Sequence, residues 1–149
     1  MLKDMIPRKL VSTGLNTQVS QVAQLMADQD VGCVLIVENG LPQGLVTDRD
    51  IVLRCVAKKL DPEQCPVHQI MTRTLATVRD TAGLFDCIEK MKAEKVRRIP
   101  IVNDQGVAVG ILSFGDILSL LGKEMSEITE GTTPELQLKK PASKFKQVA

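Results

Sequence analysis

The chain repeats itself once, at a period of 65 to 66 residues. Met5 aligns with Met71, Leu10 with Leu75, Met26 with Met91, Val31 with Val96 and Val37 with Val102. Gly44 then aligns with Gly110, and Asp50-Ile51 with Asp116-Ile117. One residue is added in the second copy, where Asn103-Asp104-Gln105-Gly106 replaces Glu38-Asn39-Gly40. A unit of about 50 residues buries too little surface to be stable alone, so two copies are expected to share a core.

Periodicity assigns elements to each copy. Val19, Val22, Ala23 and Met26 stand at i, i+3, i+4, i+7, as do Leu84, Cys87, Ile88 and Met91, each set marking one face of a helix. Asn16-Thr17 and Asp80-Thr81 are the N-cap candidates. Short apolar runs follow, Cys33 to Val37 and Ile99 to Val102, then a Gly-containing turn and a second run, Gly44 to Thr47 or Val109 to Ser113. These read as antiparallel hairpins. Pro100 lacks a donor and should lie at an edge or off the ladder. A second helix opens in each copy, with Ile51, Val52, Cys55 and Val56 on its apolar face in the first, and Ile117, Leu118 and Leu121 in the second. Gly122 is the expected stop. The class is α+β. The divisions are a first repeat over 3–60, a linker over 61–69, a second repeat over 70–123, and a flexible, polar, mildly basic tail over 124–149 that holds Lys139, Lys140, Lys144 and Lys146.

Composition narrows the function. The only aromatics are Phe85, Phe114 and Phe145, too few and too scattered for a base-stacking platform or a cationic cage. The net charge of +1 lacks the basic excess of duplex binding, which argues against nucleic acid. No apolar run approaches the roughly 20 residues of a membrane span, and the N-terminus shows no signal-peptide pattern, so a soluble cytoplasmic protein is expected. Cys33, Cys55, Cys65 and Cys87 form no CxxC pair, and His68 is the sole histidine, which argues against structural zinc and against His-based acid–base chemistry. The cysteines are expected to be reduced and buried, with Cys65, in the linker, as the exception.

The strongest local signal falls at the second strand–helix junction of each copy. One reads Gly44-Leu45-Val46-Thr47-Asp48-Arg49-Asp50-Ile51, the other Gly110-Ile111-Leu112-Ser113-Phe114-Gly115-Asp116-Ile117. A hydroxyl, a helix start with free N–H groups and a carboxylate one turn on suit a ribose-phosphate. The same Thr-x-x-Asp spacing also makes a capping box, which needs no ligand. Both readings stand on spacing alone.

With Asp4-Met5 and Ile70-Met71-Thr72 opening the copies, and Val-Arg-Arg-Ile-Pro-Ile-Val at 96–102, these motifs resemble a tandem pair of CBS (cystathionine-β-synthase) domains, a Bateman module, over residues 3–122. The resemblance implies two β-α-β-β-α units in a sandwich-like arrangement with pseudo-twofold symmetry, dimerisation, and adenosyl ligands such as AMP, ADP, ATP or S-adenosylmethionine in clefts between the repeats. It places Thr47 and Asp50 at the phosphate and ribose of one cleft, and Ser113 and Asp116 at those of the other. Ser12 and Thr77 match a hydroxyl beside the base, and Leu45 and Ile111 the apolar residues against it. Val31-Gly32-Cys33 and Val96-Arg97-Arg98-Ile99 match the segments entering the first strand, whose backbone reads the adenine edge.

The copies differ in charge. Gly32 and Cys33 align with Arg97 and Arg98, and Arg49 with Gly115. The arginines suit phosphate or, equally, a solvated surface pair. The leading expectation is a non-enzymatic regulatory module with no cofactor. It would take an adenosyl nucleotide as regulatory ligand, form a homodimer and signal to a separate effector protein. The alternative is a dimerisation or interaction module that needs no nucleotide. A third, weaker reading is nucleic-acid binding through Arg97, Arg98 and the lysine tail.

Overall fold

In each copy a short strand leads into a helix, and a hairpin then returns beside that strand. The structure, a computed structural model, describes Leu2, residues 10–73 and residues 76–132. The elements are β1 (Ser12–Gly14), α1 (Val19–Gln29), β2 (Cys33–Glu38), β3 (Leu41–Thr47) and α2 (Asp48–Asp50), which runs into a π-helical segment (Ile51–Val56). After a 3₁₀ turn (Val67–Gln69) come β4 (Val78–Arg79), α3 (Leu84–Ala93), β5 (Arg98–Val102), β6 (Ala108–Ser113) and α4 (Phe114–Thr132). The sheets have orders β1-β2-β3 and β4-β5-β6, the first pair of each parallel and the second antiparallel. This is the α+β class and the strand–helix order expected. The chain divides into two compact units, Met1–Phe114, which holds both sheets, and Gly115–Ala149. Asp4, Met5, Leu75 and the lysine-bearing tail lie outside the described residues.

The β2 run is apolar without alternation because it is the central strand, and Val34, Leu35 and Ile36 are all buried. Val34, Ile36 and Val46 pack with Val19, Val22 and Met26 of α1 in one cluster. Ala23, expected on that face, is exposed, and the half-buried Leu25 packs there instead. The same cluster takes in Cys55, Cys65, Val67, Ile70 and Met71. The linker is therefore part of the first repeat's core. Cys65, expected to be the exposed cysteine, is only 5% exposed, whereas Cys33 is half-buried.

The linker also explains where α1 begins. The Val19 N–H donates to the Cys65 carbonyl (2.9 Å) and the Ser20 N–H to that of Pro62 (3.1 Å). Backbone carbonyls thus satisfy donors that a helix start leaves open. The expected caps at Asn16-Thr17 and Asp80-Thr81 are displaced to Gln18 and Gly83. There the third helical residue turns back, Gln21 accepting from the Gln18 N–H at 3.3 Å and Asp86 from the Gly83 N–H at 3.1 Å.

Pro100 lies in a central strand and still off one ladder. In the first copy Ser12 pairs with Leu35, whose N–H donates to the Val11 carbonyl at 3.0 Å. The equivalent pair would be Thr77 and Pro100. Pro100 has no N–H to give, and β4 pairs with β5 only from Val78–Ile101 onward. On its other side Pro100 stands opposite Ile111 of β6.

Two expectations about the second helices fail. After Asp50 the backbone takes i→i−5 bonds, Ala57 N–H to Val52 O (2.9 Å) and Leu60 N–H to Cys55 O (3.0 Å). In this register Cys55 is buried, while Val52 and Val56 are exposed; in the second copy Ile117 is buried, while Leu118 and Leu121 are exposed. In the second copy Gly122 does not stop the helix. Residue 122 lies inside α4, where a glycine costs about 1 kcal/mol relative to alanine without breaking the helix.

Candidate functional site

The entry to the second repeat is pinned to the first. Leu45 of β3 and Thr72 exchange both backbone hydrogen bonds, each 2.8 Å. This contact requires glycine at 44. A Cβ there would lie 2.7 Å from Met71 Sδ and 2.8 Å from the Thr72 carbonyl oxygen. Beside this junction lies a cleft of about 370 Å³, lined by Leu45, Thr47, Asp50, Thr72, Arg73, Ala76, Glu94, Val96, Arg97 and Arg98. Both copies line it, the first through the Thr-x-x-Asp junction and the second through its entry segment and the residues from Glu94 to the start of β5 at Arg98.

Thr47 and Asp50 form a closed capping box. Asp50 Oδ2 accepts from the Thr47 N–H (2.9 Å) and hydroxyl (3.0 Å), and Thr47 Oγ1 accepts from the Asp50 N–H (3.2 Å). The Asp48 N–H donates to the Gly32 carbonyl (3.2 Å) and the Arg49 N–H to Asp48 Oδ1 (2.8 Å). The free N–H groups expected for phosphate at this helix start are thus already satisfied. Asp50 Oδ1 faces Arg54 at 3.4 Å.

Positive charge comes from the second copy. Arg73, Arg97 and Arg98 line the cleft, and none of them is in an ion pair among the described residues. Of the two carboxylates present, Asp50 has Arg54, and Glu94 lies 3.6 Å from Lys90 Nζ. The cleft therefore carries more cation than its own acids balance. Cys33, opposite Thr47 in the β2–β3 register, feels this surface. Burial pushes its thiol up to about 11, Arg98 pulls the other way, and Asp50 and Asp48 add to the rise. At neutral pH it is a neutral thiol.

Of the residues singled out from sequence, Leu45, Thr47, Asp50, Val96, Arg97 and Arg98 meet in this cleft. Gly32, Cys33, Arg49, Ser12 and Thr77 are not among its lining residues; Gly32, Arg49 and Ser12 are exposed. The Ile99 side chain is fully buried in the core and does not reach the cleft. Ile111 sits half-buried in β6, Ser113 ends that strand opposite Arg98, and Asp116 stands in the first turn of α4, in the second unit. Sequence reasoning missed Thr72, Arg73, Ala76 and Glu94. Thr72 was visible only as a marker of where the second copy opens, and nothing in its spacing announced a wall of the first copy's cleft. His68, outside the cleft, has Nδ1 at 3.1 Å from the Leu15 carbonyl and serves the linker. Among the described residues no three His, Cys, Asp or Glu side chains group as a metal site, and no helix is long and apolar enough to cross a membrane.

The sequence model described as CBS domain matches residues 2–56 and 67–123. The CBS domain-containing protein YhcV of Bacillus subtilis is 35% identical over 116 residues, covering 78% of this chain and 81% of that protein. Two solved structures are similar. A CBS domain protein from Pyrobaculum aerophilum complexed with AMP has a TM-score of 0.70 and 28% identity, covering 83% of this chain and 97% of that one. Hypoxic Response Protein I with two coordinated zinc ions has a TM-score of 0.69 and 26% identity, covering 78% of this chain and 95% of that one.

Proposed function

The chain belongs to the CBS domain family, and on that premise we propose that its cleft binds a phosphorylated adenosyl nucleotide as a regulatory ligand. Asp50 takes the ribose, and Arg73, Arg97 and Arg98 take the phosphates. The observation that carries this reading is one cleft lined both by the Thr47–Asp50 junction of one copy and by three arginines of the other. Guanidinium suits phosphate oxygens in paired geometry, and a cationic wall disfavours a sulfonium such as S-adenosylmethionine. Phosphate recognition then rests on side chains, because the helix-start donors are in use. The AMP bound to the P. aerophilum relative supports the same ligand class.

The role is regulatory and non-enzymatic. The cleft brings Asp50 beside a hydroxyl that caps a helix, its other carboxylate, Glu94, is paired with Lys90, and no histidine, cysteine or lysine is among its described lining residues. Nucleotide touching both copies would favour the arrangement in which the entry segment is docked, by as much as its affinity differs between states. That shift would be read by a separate effector protein. Val52, Leu53 and Val56 are 56%, 49% and 62% exposed, an apolar set that supports homodimerisation. It also keeps open a second reading, an interaction module that works without nucleotide.

Calorimetric titration with AMP, ADP, ATP and S-adenosylmethionine separates these readings. The phosphorylated ligands should bind, S-adenosylmethionine should bind more weakly, and Asp50→Ala and the Arg97→Ala/Arg98→Ala pair should each weaken AMP by about tenfold or more. Absence of binding by all four ligands would leave the nucleotide-independent reading. AMP affinity unchanged in both variants would show that the assigned contacts are wrong.

A further inference from the structure

Arg54 is charged, half-buried, and outside the lining of the cleft. It stands one turn after Asp50, in the π-helical segment, and its guanidinium spans two structures. Nη2 lies 3.4 Å from Asp50 Oδ1. Nη1 donates to the Ile70 carbonyl (2.9 Å) and has Thr72 Oγ1 at 3.0 Å. Asp50 Oδ2 is held by the Thr47 N–H and hydroxyl. Both oxygens of the carboxylate are therefore fixed, one by its own cap and one by an arginine anchored to the entry of the second repeat. The equivalent position in the second copy is Leu120, so the device belongs to one copy alone.

We propose that Arg54 is a positioning residue for the cleft. It orients Asp50 so that the remaining lone pairs of the carboxylate face the ribose hydroxyls, and it makes that orientation depend on the docking of residues 70–72. This rests on the nucleotide reading of the cleft. A carboxylate has about four acceptor sites. The cap uses two and Arg54 one, which leaves capacity for a hydroxyl. Lysine could not replace the fork, because one ammonium cannot hold the carboxylate and the entry segment at Ile70 and Thr72 in a fixed plane. Without Arg54 the carboxylate is held through Oδ2 alone and Oδ1 loses its fixed direction, and the diol contact should weaken more than the phosphate contacts at Arg97 and Arg98.

The readout is the affinity ratio between AMP and 2′,3′-dideoxy-AMP, measured by calorimetry on the full chain. The wild type should prefer AMP by about tenfold or more, the worth of a charge-assisted hydrogen bond. In Arg54→Met and Arg54→Gln that ratio should fall to about threefold or less, with the dideoxy affinity nearly unchanged. Arg54→Gln keeps an amide donor for the Ile70 carbonyl, so it remains informative if Arg54→Met fails to fold, which a thermal melt reports. A purely structural role would weaken both nucleotides equally; an unchanged ratio in a folded variant overturns the assignment. If the wild type binds no AMP, the nucleotide reading itself fails. If it binds both nucleotides equally, the ribose contact of Asp50 fails, and the role of Arg54 with it.

Discussion

Replacing Gly44 by alanine tests how the two repeats are joined. The added Cβ would meet Met71 Sδ at 2.7 Å, the Thr72 carbonyl oxygen at 2.8 Å and Met71 Cγ at 3.1 Å. The thioether can swing away. The carbonyl cannot move without a loss, because its oxygen accepts the Leu45 N–H at 2.8 Å and the Thr72 N–H returns the bond at the same distance. Overpacking of a tight contact costs about 1–3 kcal/mol, and weakening two backbone bonds adds about 1 kcal/mol. A destabilisation of about 2–4 kcal/mol is expected, with part relieved by movement of the 71–72 backbone.

Urea unfolding followed by circular dichroism measures it, since the absence of Trp and Tyr leaves intrinsic fluorescence nearly silent. Amide exchange at Leu45 and Thr72 localises the effect, because both N–H groups should lose protection before the rest of β3. Leu45 and Thr72 also line the cleft, so AMP affinity should fall with them. A loss below about 1 kcal/mol with both amides still protected would refute the claim that close backbone approach dictates this glycine.

Gly122→Ala should act in the opposite direction. A Cβ there meets nothing within 4 Å, so the melt should show a gain of about 0.5–1 kcal/mol from helix propensity. The Cys33 thiol, raised to about 11 from an ordinary value near 9, should alkylate slowly at neutral pH. Because its folded pKa lies above its unfolded one, its contribution is full below pH about 9 and lost as pH rises toward about 11, so Cys33→Ser should flatten the stability profile in that window. AMP at 100 times its dissociation constant should raise unfolding stability by roughly 2.7 kcal/mol, and no rise at that occupancy would mean that it does not favour the folded state.

The fold was legible because it is written twice. Two copies of an i, i+3, i+4, i+7 face and two apolar hairpins leave little choice of class, and the added residue near Asn103 fell in a turn as expected. What escaped were features set by contacts across the chain. The caps moved to Gln18 and Gly83, in α1 because linker carbonyls already satisfy its first donors. Cys65 reads as a linker residue and proves to be core, since the linker folds back on α1. The π-helical register that exposes Val52 and Val56 leaves no mark in an apolar pattern, which a helix of either kind would share. Within the site, Thr47 and Asp50 were legible, but their pairing with Arg97 and Arg98 was not, because repeat alignment compares equivalent positions and says nothing of which wall faces which.

That limit suggests where function lies in such a chain. Some positions the copies share, such as the apolar faces of α1 and α3, are explained by the fold each must make. Positions at which they diverge have no such explanation. Gly32 against Arg97, Cys33 against Arg98 and Arg54 against Leu120 are three such differences, and on the structure they converge. Two supply two of the three arginines of the cleft that Thr47 and Asp50 also line, and the third pairs with Asp50. A fold built from two equal halves would present two equal sites. Under the proposed function, placing Arg97 and Arg98 where the other copy has Gly32 and Cys33 would make the two sites unequal, and a single charged nucleotide would act on the joint between the halves. Exchanging the two pairs, Gly32→Arg/Cys33→Arg with Arg97→Gly/Arg98→Cys, should therefore weaken AMP at this cleft by at least as much as Arg97→Ala/Arg98→Ala. Full affinity there after the exchange, still weakened by Asp50→Ala, would show that the divergence of the copies has no part in binding.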